Sequence, residues 1–188
     1  MDNNFRELSH EELVAMVLRL SAIKDRARFT GTIIAEVFGP DGQLKQRSVM
    51  HNLVVDQGDA LIADNLAMTP ARQKLDNTHA WIEVGTGYPG TTKDKTGVIT
   101  VTGVPNIMDG TYPKLKGAWG AANDNVIVYK STFVPGALNA TGINEAALKN
   151  NATHGLGDCM SYGHITPSVN VGLLDTLAVT WEITCYGT

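Results

Sequence analysis

The chain has 188 residues, a length suited to one domain with a single core and an appendage, and a formal net charge of -4 at pH 7. Charged residues make up only 18%, less than the roughly 25% of an ordinary soluble domain, and no dense Lys/Arg cluster appears. Binding nucleic acid by neutralising phosphates would need such a cluster, so no nucleic-acid partner is expected.

Met1–Glu12 is polar and acidic, with neither a basic n-region nor an apolar h-region, so the reading expects no signal peptide. No apolar run reaches membrane-spanning length, and no membrane partner is expected. Synthesis and assembly in a cytoplasm follow as the expectation. Nineteen glycines, interspersed with Thr, Asn and Val, favour strands joined by tight turns.

In chain order, Ser9-His10-Glu11-Glu12 forms a capping box. Leu13, Met16, Val17, Leu20 and Ile23 follow at helical spacing, and Lys24 suits the negative pole of the last turn. The spacing predicts an amphipathic helix over residues 10–25, within an N-terminal arm of residues 1–26. That stripe is the candidate assembly interface; its other use would be to fold back on its own domain. Residues 27–188 then form one β domain. Phe29–Phe38 alternates, with Phe29, Gly31, Ile33, Ala35 and Val37 on one face. Gly39-Pro40-Asp41-Gly42 is a turn, with the return strand running from Gln43 to about Val49. Asp56 reads as the cap of a short helix, with Asp59 in its first turn and Leu61, Ile62, Ala63 and Leu66 facing inward.

His79–Val84 reads as a strand centred on Trp81, and Gly97–Thr102 as another. Residues 103–124, rich in Gly, Pro, Asn and Asp, read as a long irregular insertion. Val126–Val134 is strand-like, with Val126, Val128 and Val134 on one side and Ile127, Tyr129 and Phe133 on the other. Residues 135–157 read as mostly loop, with a short ordered piece at Ile143–Leu148. Cys159–Ile165 reads as the penultimate strand. The cleanest alternation comes last: Leu177, Val179, Trp181, Ile183 and Cys185 on one face, with Thr176, Ala178, Thr180, Glu182 and Thr184 on the other. The predicted architecture is mainly β: an antiparallel β-sandwich, possibly a jelly roll, with one N-terminal and one short internal helix.

Motifs that could carry chemistry fail on detail. Gly85-Thr86-Gly87-Tyr88-Pro89-Gly90 follows a strand, but no Lys-Ser/Thr follows it and Pro89 lacks an N–H, so it reads as a turn and not a phosphate loop. His10, His51, His79, His154 and His164 show no metal-ligand spacing, and Asp109-Gly110 and Asn123-Asp124-Asn125 lack a calcium ligand ladder. Cys159 and Cys185 are too far apart in sequence for a paired-knuckle zinc site; both fall in strands, could be sheet neighbours, and read as free thiols. Ser161 and His164, three apart on a strand, would point to opposite faces. No Gly-x-Ser-x-Gly elbow exists. Carboxylate pairs for glycoside cleavage could come from distant positions, but aromatics at 6% are thin for a sugar groove. The reading expects no catalysis, no cofactor and no metal.

Four segments line up, in order, over about residues 50–188: Asn52-Leu53-Val54-Val55-Asp56-Gln57-Gly58, Trp81-Ile82-Glu83-Val84-Gly85-Thr86-Gly87, Ile143-Asn144-Glu145-Ala146-Ala147-Leu148 and Thr176-Leu177-Ala178-Val179-Thr180-Trp181-Glu182-Ile183. The set resembles small structural proteins of tailed-bacteriophage virions (tail, neck, fibre-associated or capsid decoration) with a β-sandwich body. The chain departs from that pattern in the Gly/Pro-rich stretch 88–124 and in lacking Arg within Cys159-Met160-Ser161-Tyr162. The resemblance implies a non-enzymatic virion component, a symmetric homo-oligomer whose partners are its own copies and other virion proteins. A capsid decoration protein is the same-class rival. A receptor- or carbohydrate-binding module, using the long loops, is the rival from another class.

Overall fold

The computed structural model describes residues 28–67, 71–90 and 92–186, with Glu11 in addition. The predicted helix over residues 10–25, and with it Leu13, Met16, Val17, Leu20 and Ile23, lies outside the described residues.

Among the described residues, nine antiparallel strands form one sheet: β1 (Arg28–Phe38), β2 (Leu44–Val54), β3 (Trp81–Gly85), β4 (Val101–Ile107), β5 (Lys114–Leu115), β6 (Val126–Phe133), β7 (Ala140–Lys149), β8 (Cys159–Val171) and β9 (Thr176–Tyr186). Helix α1 (Asp56–Asn65) joins β2 to the segment before β3. The strand order is β4-β3-β7-β8-β2-β1-β9-β6-β5, and the sheet curls into a half-barrel. The mainly-β, antiparallel expectation holds. No described helix is long and apolar enough to cross a membrane.

The alternation read from the sequence sets the register. β1 pairs with β9 along its whole length, from Arg28↔Tyr186 to Phe38↔Thr176. Ile33, Trp181 and Tyr129 thereby form one row across β1, β9 and β6, and Val37 and Leu177 face each other two turns of the pleat away. Ile33, Val37, Leu177 and Trp181 are all essentially inaccessible, and they join Ile82, Val84, Ile143, Leu148 and Ile165 in one apolar core. Gly42, at φ +75°, closes the β1–β2 hairpin in a conformation that a side chain would strain.

Two seams divide the sheet. β2 and β8 share a ladder of only three residue pairs, Asn52↔Gly163, Leu53↔Tyr162 and Val54↔Ser161. At the other side β4 and β6 are not laddered, and side chains bridge them. Asn106 donates through Nδ2 to Ser131 Oγ at 2.9 Å and to Thr132 O at 2.9 Å, while Ser131 Oγ donates to Ile107 O at 2.8 Å. Asp109, just past β4, accepts from Thr132 N and Thr132 Oγ1.

Several boundaries differ from the sequence reading. β2 runs on to Val54, so Asn52-Leu53-Val54 is strand. The strand expected at 97–102 forms instead at Val101–Ile107, because the 97–100 backbone turns inward to bond side chains. The stretch 103–124 holds most of β4 and all of β5. Residues 135–157 contain β7, a ten-residue strand hydrogen-bonded on both sides. In β6 Tyr129 and Phe133 face the core with Ile127 packed against it, as read, while Val126 and Val128 are buried too and Val134 is exposed beyond the strand's end. In α1 the cap position is Val55 and makes no side-chain cap bond, while Asp56 and Asp59 both lie in the first turn. Leu61 is buried as expected, but Ala63 and Leu66 face out. Cys185 pairs with Phe29, and Cys159 lies across from Lys149 on another part of the sheet. The two thiols are therefore not sheet neighbours, and both are free.

Candidate functional site

The densest polar chemistry of the described residues lies beneath the segment between β3 and β4. It is carried by Glu83, Glu145 and Lys149, which are all fully buried. β3 and β7 pair antiparallel, with Trp81↔Lys149, Glu83↔Ala147 and Gly85↔Glu145. The period-two pleat therefore puts Glu83 and Lys149 on one face as diagonal neighbours.

Glu145 has a complete set of partners. Its Oε1 accepts from Gly87 N at 2.8 Å and Thr100 N at 3.0 Å; its Oε2 accepts from Ile99 N at 2.9 Å and the Tyr162 hydroxyl at 2.7 Å. A carboxylate offers about four lone-pair positions, so none is left over for a substrate or an ion. Burial, and then the hydrogen bond to Glu145, pushes the Tyr162 hydroxyl far above its ordinary value and keeps its proton in place. In the Gly85–Gly90 turn the backbone N–H groups are spent inside the protein: Gly87 N donates to Glu145, Thr86 N to Thr100 O at 3.0 Å and Tyr88 N to Asn144 Oδ1 at 3.2 Å.

Glu83 does the same work one strand pair away. Its Oε1 accepts from Val98 N at 2.9 Å and lies 3.8 Å from Lys149 Nζ, while His154 Nδ1 meets its Oε2 at 3.1 Å. Lys149 Nζ makes no hydrogen bond to the described residues. Cys159, opposite Lys149 in the register, has its thiol pushed up to about 12 by burial and by the Glu83 charge. A thiol so held is not a nucleophile at neutral pH.

Among the other residues singled out by sequence, Ser161 Oγ donates to Leu53 O at 2.7 Å and accepts from Asn52, whereas His164 stacks on Tyr88 with ring centroids 3.7 Å apart. The structure does not bring Ser161 and His164 together, as the pleat requires. His79 is tied to Asp76 at 3.0 Å and sits edge-on to Trp81. Among the described residues, no group of three or more His, Cys, Asp or Glu is placed to hold a metal ion.

An open groove of about 720 Å³ adjoins this region, lined among others by Arg72, His79, Trp81, Asn150, Asn151 and Asp158. Much of its polar edge is already paired. Arg72 binds Asp158, Asn150 Nδ2 donates to Gln73 O at 2.7 Å, and Asn150 Oδ1 accepts from Asp158 N at 2.6 Å.

Sequence reasoning passed over Glu83, Glu145 and Lys149. The available signal was a single charge inside an otherwise apolar strand, as in Trp81-Ile82-Glu83-Val84 and Ala146-Ala147-Leu148-Lys149. Such a charge must be buried with partners. Comparison with protein-family models, with curated proteins and with solved structures gives no match to this chain.

Proposed function

We propose that the chain is a non-enzymatic structural component of a tailed-phage virion, repeated in the tail, neck or fibre-attachment region and assembled in the host cytoplasm. Its partners are then copies of itself and other virion proteins, in a symmetric homo-oligomer. The observation that favours an assembly role is the placement of large apolar side chains on loop tips. Trp119, between β5 and β6, is 92% exposed, and Val134, Leu173 and Leu174 cluster by chain connection at the β6–β7 and β8–β9 turns, where Gly136 N donates to Leu173 O. Exposed aromatic and aliphatic anchors on a rigid body suit burial against neighbours. The internal charges support the same reading, since Glu145 is consumed in holding loops in place.

The finer architecture within this reading is sandwich-like. What supports this is the short, three-pair β2–β8 ladder between a four-strand run (β4-β3-β7-β8) and a five-strand run (β2-β1-β9-β6-β5). The test of function is a reconstruction of particles carrying the protein. Tens of copies or fewer per particle fit tail or neck. Hundreds would move the protein to the capsid-decoration alternative, and absence from particles would end the proposal.

A second reading, a receptor- or carbohydrate-binding module, is favoured by the groove beside Trp81 and His79. Saturable binding on a glycan array, lost on Trp81→Ala, would select it over the assembly role.

A further inference from the structure

Glu83 and Lys149 are sealed in the interior, yet the lysine is left unsatisfied. Both side chains are fully buried. Lys149 Nζ lies 3.8 Å from Glu83 Oε1, beyond hydrogen-bonding distance, and finds no hydrogen-bond partner among the described residues. The Gly97 backbone closes over the pair: a Cβ there would collide with Glu83 Oε1 and stand 3.5 Å from Lys149 Nζ. A dry ammonium with its donors unused beside a carboxylate is a costly arrangement. The two residues are held near each other by the β3–β7 ladder, in which Trp81 pairs with Lys149 and Glu83 with Ala147.

We propose that Lys149 and Glu83 form a self-modification site and join in an intramolecular amide between Nζ and Cδ, a covalent cross-link from β7 to β3. The other contacts of Glu83 match the roles that such a condensation needs. Transfer of one proton within the pair gives a neutral amine and a carboxylic acid, and removes both charges from the apolar interior. The amine lone pair then attacks Cδ. Negative charge develops on Oε1, where Val98 N–H donates at 2.9 Å. His154 Nδ1, 3.1 Å from Oε2, passes a proton to that oxygen, which leaves as water when its bond to Cδ breaks. His154 regains its proton from the nitrogen that has attacked. Of the three ammonium protons, one stays on the amide nitrogen and two depart with Oε2, so no oxidant or other reactant enters. The His154 side chain is 40% exposed, which gives the water a way out on the Oε2 side. Two groups fixed on paired strands react with an effective molarity on the order of 10⁵ M or more, and this favours the amide. The inference does not rest on the virion reading.

The first measurement is the intact mass of the full chain purified from its folded form. The expected value is the sequence mass less one water. An imide at Asp41-Gly42 or Asp109-Gly110 would lose the same mass, so digestion with trypsin assigns the bond. Lys149 is no longer a cleavage site once acylated, and residues 75–93 should appear joined to residues 131–188 as one branched peptide. Full sequence mass, or a water loss mapped elsewhere, overturns the proposal. Lys149→Met should restore the full mass; if that variant does not fold, the wild-type digest decides alone. A second arm takes wild type and His154→Ala from inclusion bodies, refolds them and follows mass with time. His154→Ala should slow the loss of water at least tenfold. An unchanged rate overturns the role given to His154.

Discussion

Asn106 on β4 and Ser131 on β6 exchange hydrogen bonds, although their strands stand first and last but one in the sheet order. The Ser131 hydroxyl accepts from Asn106 Nδ2 and lies within reach of the Asn106 and Ile107 carbonyls. The fully buried Ser131 hydroxyl therefore shares, with Thr132 and Asp109, the bonding that a ladder provides elsewhere. Ser131→Ala leaves the Asn106 amide with only the Thr132 carbonyl and orphans the Ile107 carbonyl. A loss of about 2 kcal/mol is expected, since an unsatisfied buried polar group costs about 1–3 kcal/mol. Urea unfolding checks this, and an unchanged midpoint would mean that the Asn106–Thr132 and Asp109–Thr132 bonds hold the seam without Ser131.

Glu145 fastens three backbone N–H groups of two separate loop stretches, at Gly87 and at Ile99–Thr100. Glu145→Gln keeps the volume but presents an NH₂ where two donors point: the Ile99 N–H and the Tyr162 hydroxyl at the Oε2 position, or the Gly87 and Thr100 N–H groups at the Oε1 position. The expected loss is about 3 kcal/mol, in the range for breaking buried charged hydrogen bonds. Amide exchange should rise first at residues 85–88 and 98–100, while the β1–β9 ladder keeps its protection. Uniform acceleration across the sheet would show that Glu145 has no local role.

The contrast between β9 and β7 shows what was legible. β9 has one buried face and one lined largely by Thr and Glu, so its alternation, with Leu177, Val179, Trp181 and Ile183 inward, is visible in the sequence. β7 lies between β3 and β8 and is buried on both faces over Glu145–Lys149. Its alternation is erased, and its Glu and Lys look like loop residues until their partners are known. The backbone partners of Glu145 come from residues 87, 99 and 100, and the counter-charge of Lys149 from Glu83, all far off in sequence. The same non-locality hid β4, whose true start is displaced because residues 98–100 spend their N–H groups on Glu83 and Glu145. The hairpin at Gly39–Gly42 was legible for the opposite reason: its chemistry is complete within a few residues. In the candidate site nothing local predicts that Cys159 and Lys149 stand opposite each other.

Gly58 offers a test in which two effects oppose each other. In an exposed helix interior, Gly→Ala stabilises by about 1 kcal/mol. Here Gly58 is buried in α1, and a Cβ would stand inside van der Waals contact of the Met160 carbonyl oxygen on β8. That oxygen is backbone and already accepts from Val55 N at 3.3 Å, so it cannot swing aside like a flexible side chain. Gly58→Ala should therefore destabilise, by about 1–3 kcal/mol as overpacked cores do. A stabilised variant would show that α1 rides freely on the sheet.

Acid sensitivity should trace in part to Asp76, in the turn before β3. Burial acts to raise its carboxyl, but hydrogen bonds from the Thr78 N–H and hydroxyl and from His79 outweigh that and hold it at about 2, below its ordinary value of 3.8. A depressed carboxylate contributes stability that is fully present above the unfolded value and is lost as pH falls through the folded one. Between about 4 and about 2 the unfolded chain takes up a proton that the folded chain refuses, so the fold weakens across that window. Asp175, held low by its hydrogen bond from Lys45 and by the Gly172 N–H, acts in the same direction. Asp76→Asn should lower the melting temperature at neutral pH by a few degrees, because the amide is a poorer acceptor for Thr78 and His79. It should also flatten the fall in melting temperature between pH 4 and 2 relative to the parent. Parallel curves for the two proteins over that interval would show that Asp76 carries no part of the acid response, and would leave Asp175 and the other depressed carboxylates as its source.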